Sequence, residues 1–152
     1  MPFANKSPVL AGHQTPITPG GPEMVVSPCS QALVAADQVA GTVGVIGVLP
    51  AGTVPVTAYV RVPTALGAGF TASIGLANAG ATDFSAAADD GGAAWIVDNA
   101  TGATGGYLQV TPTVFNKVQP KDVDRKVLLK ITAPGTGTPA GIFAVDLVYR
   151  NA

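Results

Sequence analysis

Four stretches of this chain alternate apolar and polar residues with a period of two. None keeps a helical period over the roughly 12 residues that an isolated helix needs. Val54–Val62 (VPVTAYVRV) sets Val54, Val56, Ala58, Val60 and Val62 on one face and Thr57, Tyr59 and Arg61 on the other. Phe70–Ala77 sets Phe70, Ala72, Ile74 and Leu76 against Thr71, Ser73 and Gly75. Arg125–Thr132 sets Val127, Leu129 and Ile131 against Lys126, Leu128 and Lys130. In Ile142–Arg150, Phe143, Val145, Leu147 and Tyr149 share the inward face and Asp146 points out. Shorter strand candidates are Gln31–Ala36, Thr42–Leu49, Trp95–Val97, Tyr107–Val110 and Thr113–Val118. The 19 Gly and 13 Pro fall mostly between these runs, as expected of short strands joined by tight turns. Pro55 marks a sheet edge or a strand entrance. In the long Asn78–Ala94 loop, Phe84 is the residue able to pack down as an anchor. The pattern predicts an all-β chain, an antiparallel β-sandwich of jelly-roll type.

The first thirty residues read differently. Met1–Pro28 is dense in Pro, Gly, Thr and Ser, and proline fixes φ and removes a backbone donor, so the segment favours an extended path. The expected division is an extended N-terminal arm over residues 1–30 and a sandwich domain over residues 31–152. The arm is expected to lie outside the sandwich and to order on another subunit, the alternative being a floppy tail. Its candidate interface anchors are Phe3, Val9, Leu10, Ile17, Met24, Val25 and Val26. Met24–Val26 has the composition to add a short strand to an exposed sheet edge.

Composition narrows the partners. Hydrophobic residues make up 47% of the chain and charged residues 11%, against roughly 25% charged in an average soluble domain. Such a chain fills a core and still leaves apolar surface to meet a partner. A net charge of −1 gives no electrostatic reason to expect nucleic acid or an anionic membrane. The apolar run Val43–Val60 is broken by Gly44, Gly47, Pro50, Gly52 and Pro55, so it predicts strands and a turn, not a membrane span. No signal peptide is legible in the first residues. Cys29 is the single cysteine, which excludes an intrachain disulfide and predicts a small apolar filler.

The supply of catalytic groups is thin. His13 is the single histidine and lies in the arm; Glu23 is the single glutamate. No nucleophile–base pair can be built on a rigid element from these, and no zinc spacing exists, so no enzyme and no cofactor is expected. Asp83, Asp89 and Asp90 form the acidic loop. It could offer oxygens to Ca²⁺, but it lacks the alternating spacing of an EF-hand and is expected to be a solvated loop tip. Thr101–Gly106 is Gly-rich without the ending of a phosphate cradle, and is expected to be a plain loop. Asn99-Ala100-Thr101 matches a glycosylation sequon, a pattern short enough to arise by chance. Lys117, Lys121, Arg125, Lys126 and Lys130 are interleaved with Asp122 and Asp124. That balance predicts a solvated hairpin, or an interface with an acidic neighbour, more than a nucleic-acid face.

The series LPAGTVPVTAYVRVPTALGAGFTASIGLA (Leu49–Ala77), the Asp83-Phe84 loop, GGYLQVTPTVF (Gly105–Phe115) and KITAPGTGTPAGIFAVDLVYR (Lys130–Arg150) resembles small structural proteins of tailed phages. The resemblance spans roughly Val43 to Arg150. It implies a capsid decoration (cement) protein on the surface of the virion. Its implied partner is the major capsid protein, and its implied state is a homotrimer. A tail, fibre or receptor-binding module that recognises host glycan is the competing expectation. A secreted adhesin domain is a third.

Overall fold

The structure, a computed structural model, describes residues 1–12 and 23–152. The described residues form eight strands: β1 (Met24–Leu33), β2 (Val43–Leu49), β3 (Thr53–Val62), β4 (Thr71–Leu76), β5 (Ile96–Asn99), β6 (Gly106–Val110), β7 (Arg125–Ala133) and β8 (Gly141–Asn151). They make two antiparallel four-stranded sheets, ordered β1-β8-β3-β6 and β2-β7-β4-β5. Two sheets of eight strands in this order are a jelly roll, as the alternation predicts.

The inward faces are largely those read from the sequence. Phe70, Ala72, Ile74 and Leu76, then Val127, Leu129 and Ile131, then Phe143, Val145, Leu147 and Tyr149 are all buried in one core. β3 departs from strict alternation. A bulge between Pro55 and Thr57 resets the register against β8, so Thr53 and Pro55 face inward before the bulge and Ala58, Val60 and Val62 after it. Val54 and Val56 therefore leave the face that the alternation gave them. Pro55 lies in the part of β3 that β6 does not reach, because their pairing starts at Ala58. The missing proline donor thus falls where the strand is locally an edge.

Three local expectations are corrected. The domain strand expected at Gln31–Ala36 begins seven residues earlier, at Met24, so the arm boundary at residue 30 cuts through β1. Every residue of β1 pairs with β8, and Ala35–Asp37 is a 3₁₀ turn instead of strand. Thr113–Lys117 is also a 3₁₀ turn, since the chain must leave one sheet at Pro112 and cross to β7; it drops Phe115 edge-on against Trp95, with ring centroids 5.1 Å apart. Within the loop-like Gly-rich run, Thr101–Thr104 forms one turn of helix.

A single buried polar residue ties the loops at each end of the sandwich. At one end, Gln38 Nε2 donates to the carbonyls of Leu66 (3.0 Å) and Pro139 (2.7 Å), and its Oε1 accepts from the Gly135 amide (2.7 Å). At the other, Asp90 accepts from Arg125 Nη1 (3.0 Å), Lys121 Nζ (2.9 Å) and Ser85 Oγ (2.7 Å). Arg125 Nη2 also donates to the Thr53 carbonyl. Buried polar groups held by several partners fix one arrangement of the loops around them, although Arg125 Nε finds no partner among the described residues.

Candidate assembly surface

Residues 1–7 close one side of the sandwich. Pro2 bridges Val43 in parallel, Val43 N donates to the Met1 carbonyl (2.9 Å), and the wholly buried Ser7 donates its Oγ to the Val45 carbonyl (2.7 Å). From the facing sheet, Gln31 Nε2 donates to the Asn5 carbonyl (2.8 Å). Ala4 N donates to Asp37 Oδ1 (2.8 Å). The segment therefore seals the seam between β1 and β2. Glycine makes this possible: a Cβ at Gly44 would collide with the Phe3 ring, and one at Gly47 with Cys29 Sγ. These glycines punctuate an apolar run in the sequence; in space they are notches in one strand.

The sequence-predicted anchors separate accordingly. Phe3 and Val25 pack against the chain's own core. Val9 is half-buried, and Leu10 is exposed. Met24 and Val26 are 62% and 54% exposed, on the outer face of the β1-β8-β3-β6 sheet. Ile17 and His13 lie outside the described residues. Of the arm expected over Met1–Pro28 to lie outside the sandwich, residues 1–7 lie along the seam between β1 and β2 in this chain, and residues 13–22 lie outside the described residues.

That outer face is the candidate site. Pairing puts Met24 opposite Arg150, Val26 opposite a buried Val148, and Ala32 opposite Ile142, so exposed aliphatic side chains stand at the two ends of the β1–β8 pair, with Pro28, Ser30 and Asp146 between them. Across the sheet, Tyr107 stacks on Tyr59 with centroids 5.4 Å apart, a diagonal pair set by the β3–β6 register. Arg61 and Asp146 form an ion pair (3.3 Å) across β3 and β8, beside the tyrosines. The alternation of β3 sets Tyr59 on the face with Thr57 and Arg61, but it does not reveal the Tyr107 partner, because the β3–β6 pairing that juxtaposes them is non-local. The opposite sheet is covered differently. Val43, Val45 and Leu128 form a second small core on its outer side beneath Ala77, Ala81 and Phe84. Phe84 is thus the anchor its loop requires, and Lys130 reaches Asp83 (3.0 Å) beside it.

The acidic loop is used internally. Burial raises the Asp90 carboxyl, but hydrogen bonds from Ser85, Lys121 and Arg125 outweigh it and hold the group below the usual carboxylate range. A hydrogen bond from Lys130 lowers Asp83, and Asp89 pairs with Lys121 (3.2 Å). These carboxylates already face cations, and among the described residues no cluster of three acidic, His or Cys side chains is arranged to hold a metal. Asp90 is a buried tie, not the tip of a solvated loop. Cys29 is buried as the filler expected. Burial, with a smaller push from the Asp146 charge, raises its thiol to about 12. Among the described residues, then, nothing assembles a nucleophile with a base.

No protein-family model matches the chain, and no curated protein matches it. Among solved structures, it is similar to a chain of the capsid of Ralstonia phage GP4. The identity is 22%, 97% of each chain is covered, and the TM-score is 0.72. It is also similar to a chain of the cyanophage Pam1 capsid asymmetric unit, with 17% identity, 91% of this chain and 92% of that one covered, and a TM-score of 0.53. At these identities the likenesses establish a common fold.

Proposed function

We propose that this chain is a non-enzymatic structural component of a tailed-phage virion, a decoration protein that binds the outer surface of the head and stabilises the shell. The observation that carries the reading is the end-to-end likeness to a chain of the GP4 capsid, with 97% of both chains aligned. The exposed aliphatic side chains Met24 and Val26, with Ile142 at the other end of the same face, supply a contact surface for the major capsid protein. On the same face Arg61 is paired with Asp146, and Arg150 stands opposite Met24. The partner is met by apolar contact at Met24 and Val26. A homotrimer set over threefold positions of the lattice satisfies symmetric closure, and each bound copy favours the assembled shell by mass action. Imaging of particles carrying the labelled protein tests this: many copies spread over the head are expected, and label confined to the tail overturns it. Particles lacking the protein should release DNA at a lower temperature than complete ones; equal heat survival overturns the stabilising role.

The stacked Tyr59–Tyr107 pair, with Gln109, Arg61 and Asp146 around it, favours a second reading as a tail or fibre module that holds host glycan. Tyr107 is 62% exposed, as a sugar-stacking platform requires. Label at the tail, together with glycan binding lost in Tyr107→Ala, is the outcome that selects it.

A further inference from the structure

We infer that Met1–Ser7 is an exchangeable strand, and that in the assembled protein it docks in the β1/β2 seam of a second copy of this chain. The inference does not rest on the virion reading; it follows from how the segment is held and how it is tethered.

The segment is held like a bound peptide. Its partners are the edge of β2 (Val43 N, Val45 O), the Gln31 side chain from β1 and the Asp37 carboxylate, and its Phe3 ring fills the notch over Gly44. Asp37 is fixed in place independently, since its other oxygen accepts from the Val34 amide (2.9 Å). This is strand addition with one side-chain pocket, and none of it depends on which chain supplies the segment.

The tether is longer than the intramolecular path requires. Ser7 sits level with Val45, and Met24, where β1 begins, lies at the end of the sandwich where β2 stops and β3 starts. From Val45 to Leu49 is four residues of strand, about 13 Å. Residues 13–22 alone are ten positions, with a reach of about 33–36 Å when extended. Exchange keeps every contact of the seam and adds a link between copies, which makes it a low-cost route to an oligomer. Passed head to tail, the segments close a ring.

The test places cysteines on the bridged pair, Pro2→Cys with Val43→Cys, and oxidises the full-length protein at concentrations where it is assembled. Exchange in a closed ring predicts disulfide-linked dimers and trimers on non-reducing gels, abolished when Phe3→Ala is added. Only monomers carrying an internal disulfide, or no disulfide at all, overturn the inference. If the double variant fails to fold, Pro2→Cys and Val43→Cys are co-expressed on separate chains. A linked dimer then supports exchange and its absence overturns it. Cys29 is buried and does not compete.

Discussion

Gln38 and Gly135, separated by 97 positions in sequence, meet through a 2.7 Å hydrogen bond from the glycine amide to the glutamine oxygen. The same side chain holds the carbonyls of Leu66 and Pro139, so one amide group joins three loops. Gln38→Leu strands one donor and two acceptors in a buried site. It should destabilise the fold by about 2–4 kcal/mol. Urea unfolding measures this, and a midpoint within error of the parent would show that the loops hold themselves.

Asp90 makes stability acid-sensitive. Its folded-state carboxyl is held below the ordinary value, so its contribution is present above the unfolded value of about 3.9 and is lost as pH falls through the folded one. Asp90→Asn leaves Arg125 buried without its counter-charge, and should cost about 3–5 kcal/mol at pH 7. The gap between parent and variant should then narrow below pH 4. A gap that stays constant from pH 7 to 3 would exclude the linkage.

The Cys29 thiol, pushed up to about 12, gives the opposite slope at alkaline pH. The unfolded chain ionises first, so between pH 9 and 12 this group lowers stability by up to about 1.4 kcal/mol per unit. Cys29→Ala should be less stable than the parent at pH 7, and its deficit should shrink above pH 9. Iodoacetamide should modify the parent at the rate of unfolding; rapid labelling of the native protein would contradict its burial.

Phe3 and Gly44 should couple. Gly44→Val fills the notch, displaces the Phe3 ring and exposes the N-terminal residues to protease. Phe3→Ala should cost about 1–3 kcal/mol for a half-buried ring, and the two changes together should cost less than their sum. Strict additivity in a double-mutant cycle would mean the ring and the notch are independent.

Met24→Lys with Val26→Lys tests the outer face. Both side chains are mostly exposed, so stability should change by no more than about 0.5 kcal/mol per site. Head binding should weaken by at least about tenfold, which is roughly 1.4 kcal/mol. Undiminished binding would move the contact elsewhere on the molecule.

The core faces of β4, β7 and β8 were legible because period two survives wherever a strand is regular, and the jelly roll followed from strand count and turn chemistry. What escaped was set by non-local contact. The bulge at Val56 leaves no local mark, since VPVTAYVRV alternates straight through it. Leu128 alternates outward with Lys126 and Lys130 yet is fully buried, because the Phe84 loop returns over it from more than forty residues away. The proline-rich opening read as an arm because prolines forbid helix. They do not forbid β1, whose Pro28 lies on an edge strand. Of the seven anchors, Phe3 and Val25 turned inward because the seam they close exists only once β1 and β2 face each other.

The position of β8 has a consequence for the order of synthesis. It lies between β1 and β3, and so joins the first strand to the rest of its sheet. While a ribosome is still making Gly141–Asn151, β1 has no neighbour to pair with and β3 lacks one side. Until β8 has been made, the sheet that carries the candidate contact face cannot form, however slowly the chain is translated. A chain stopped short of β8 would present no such face.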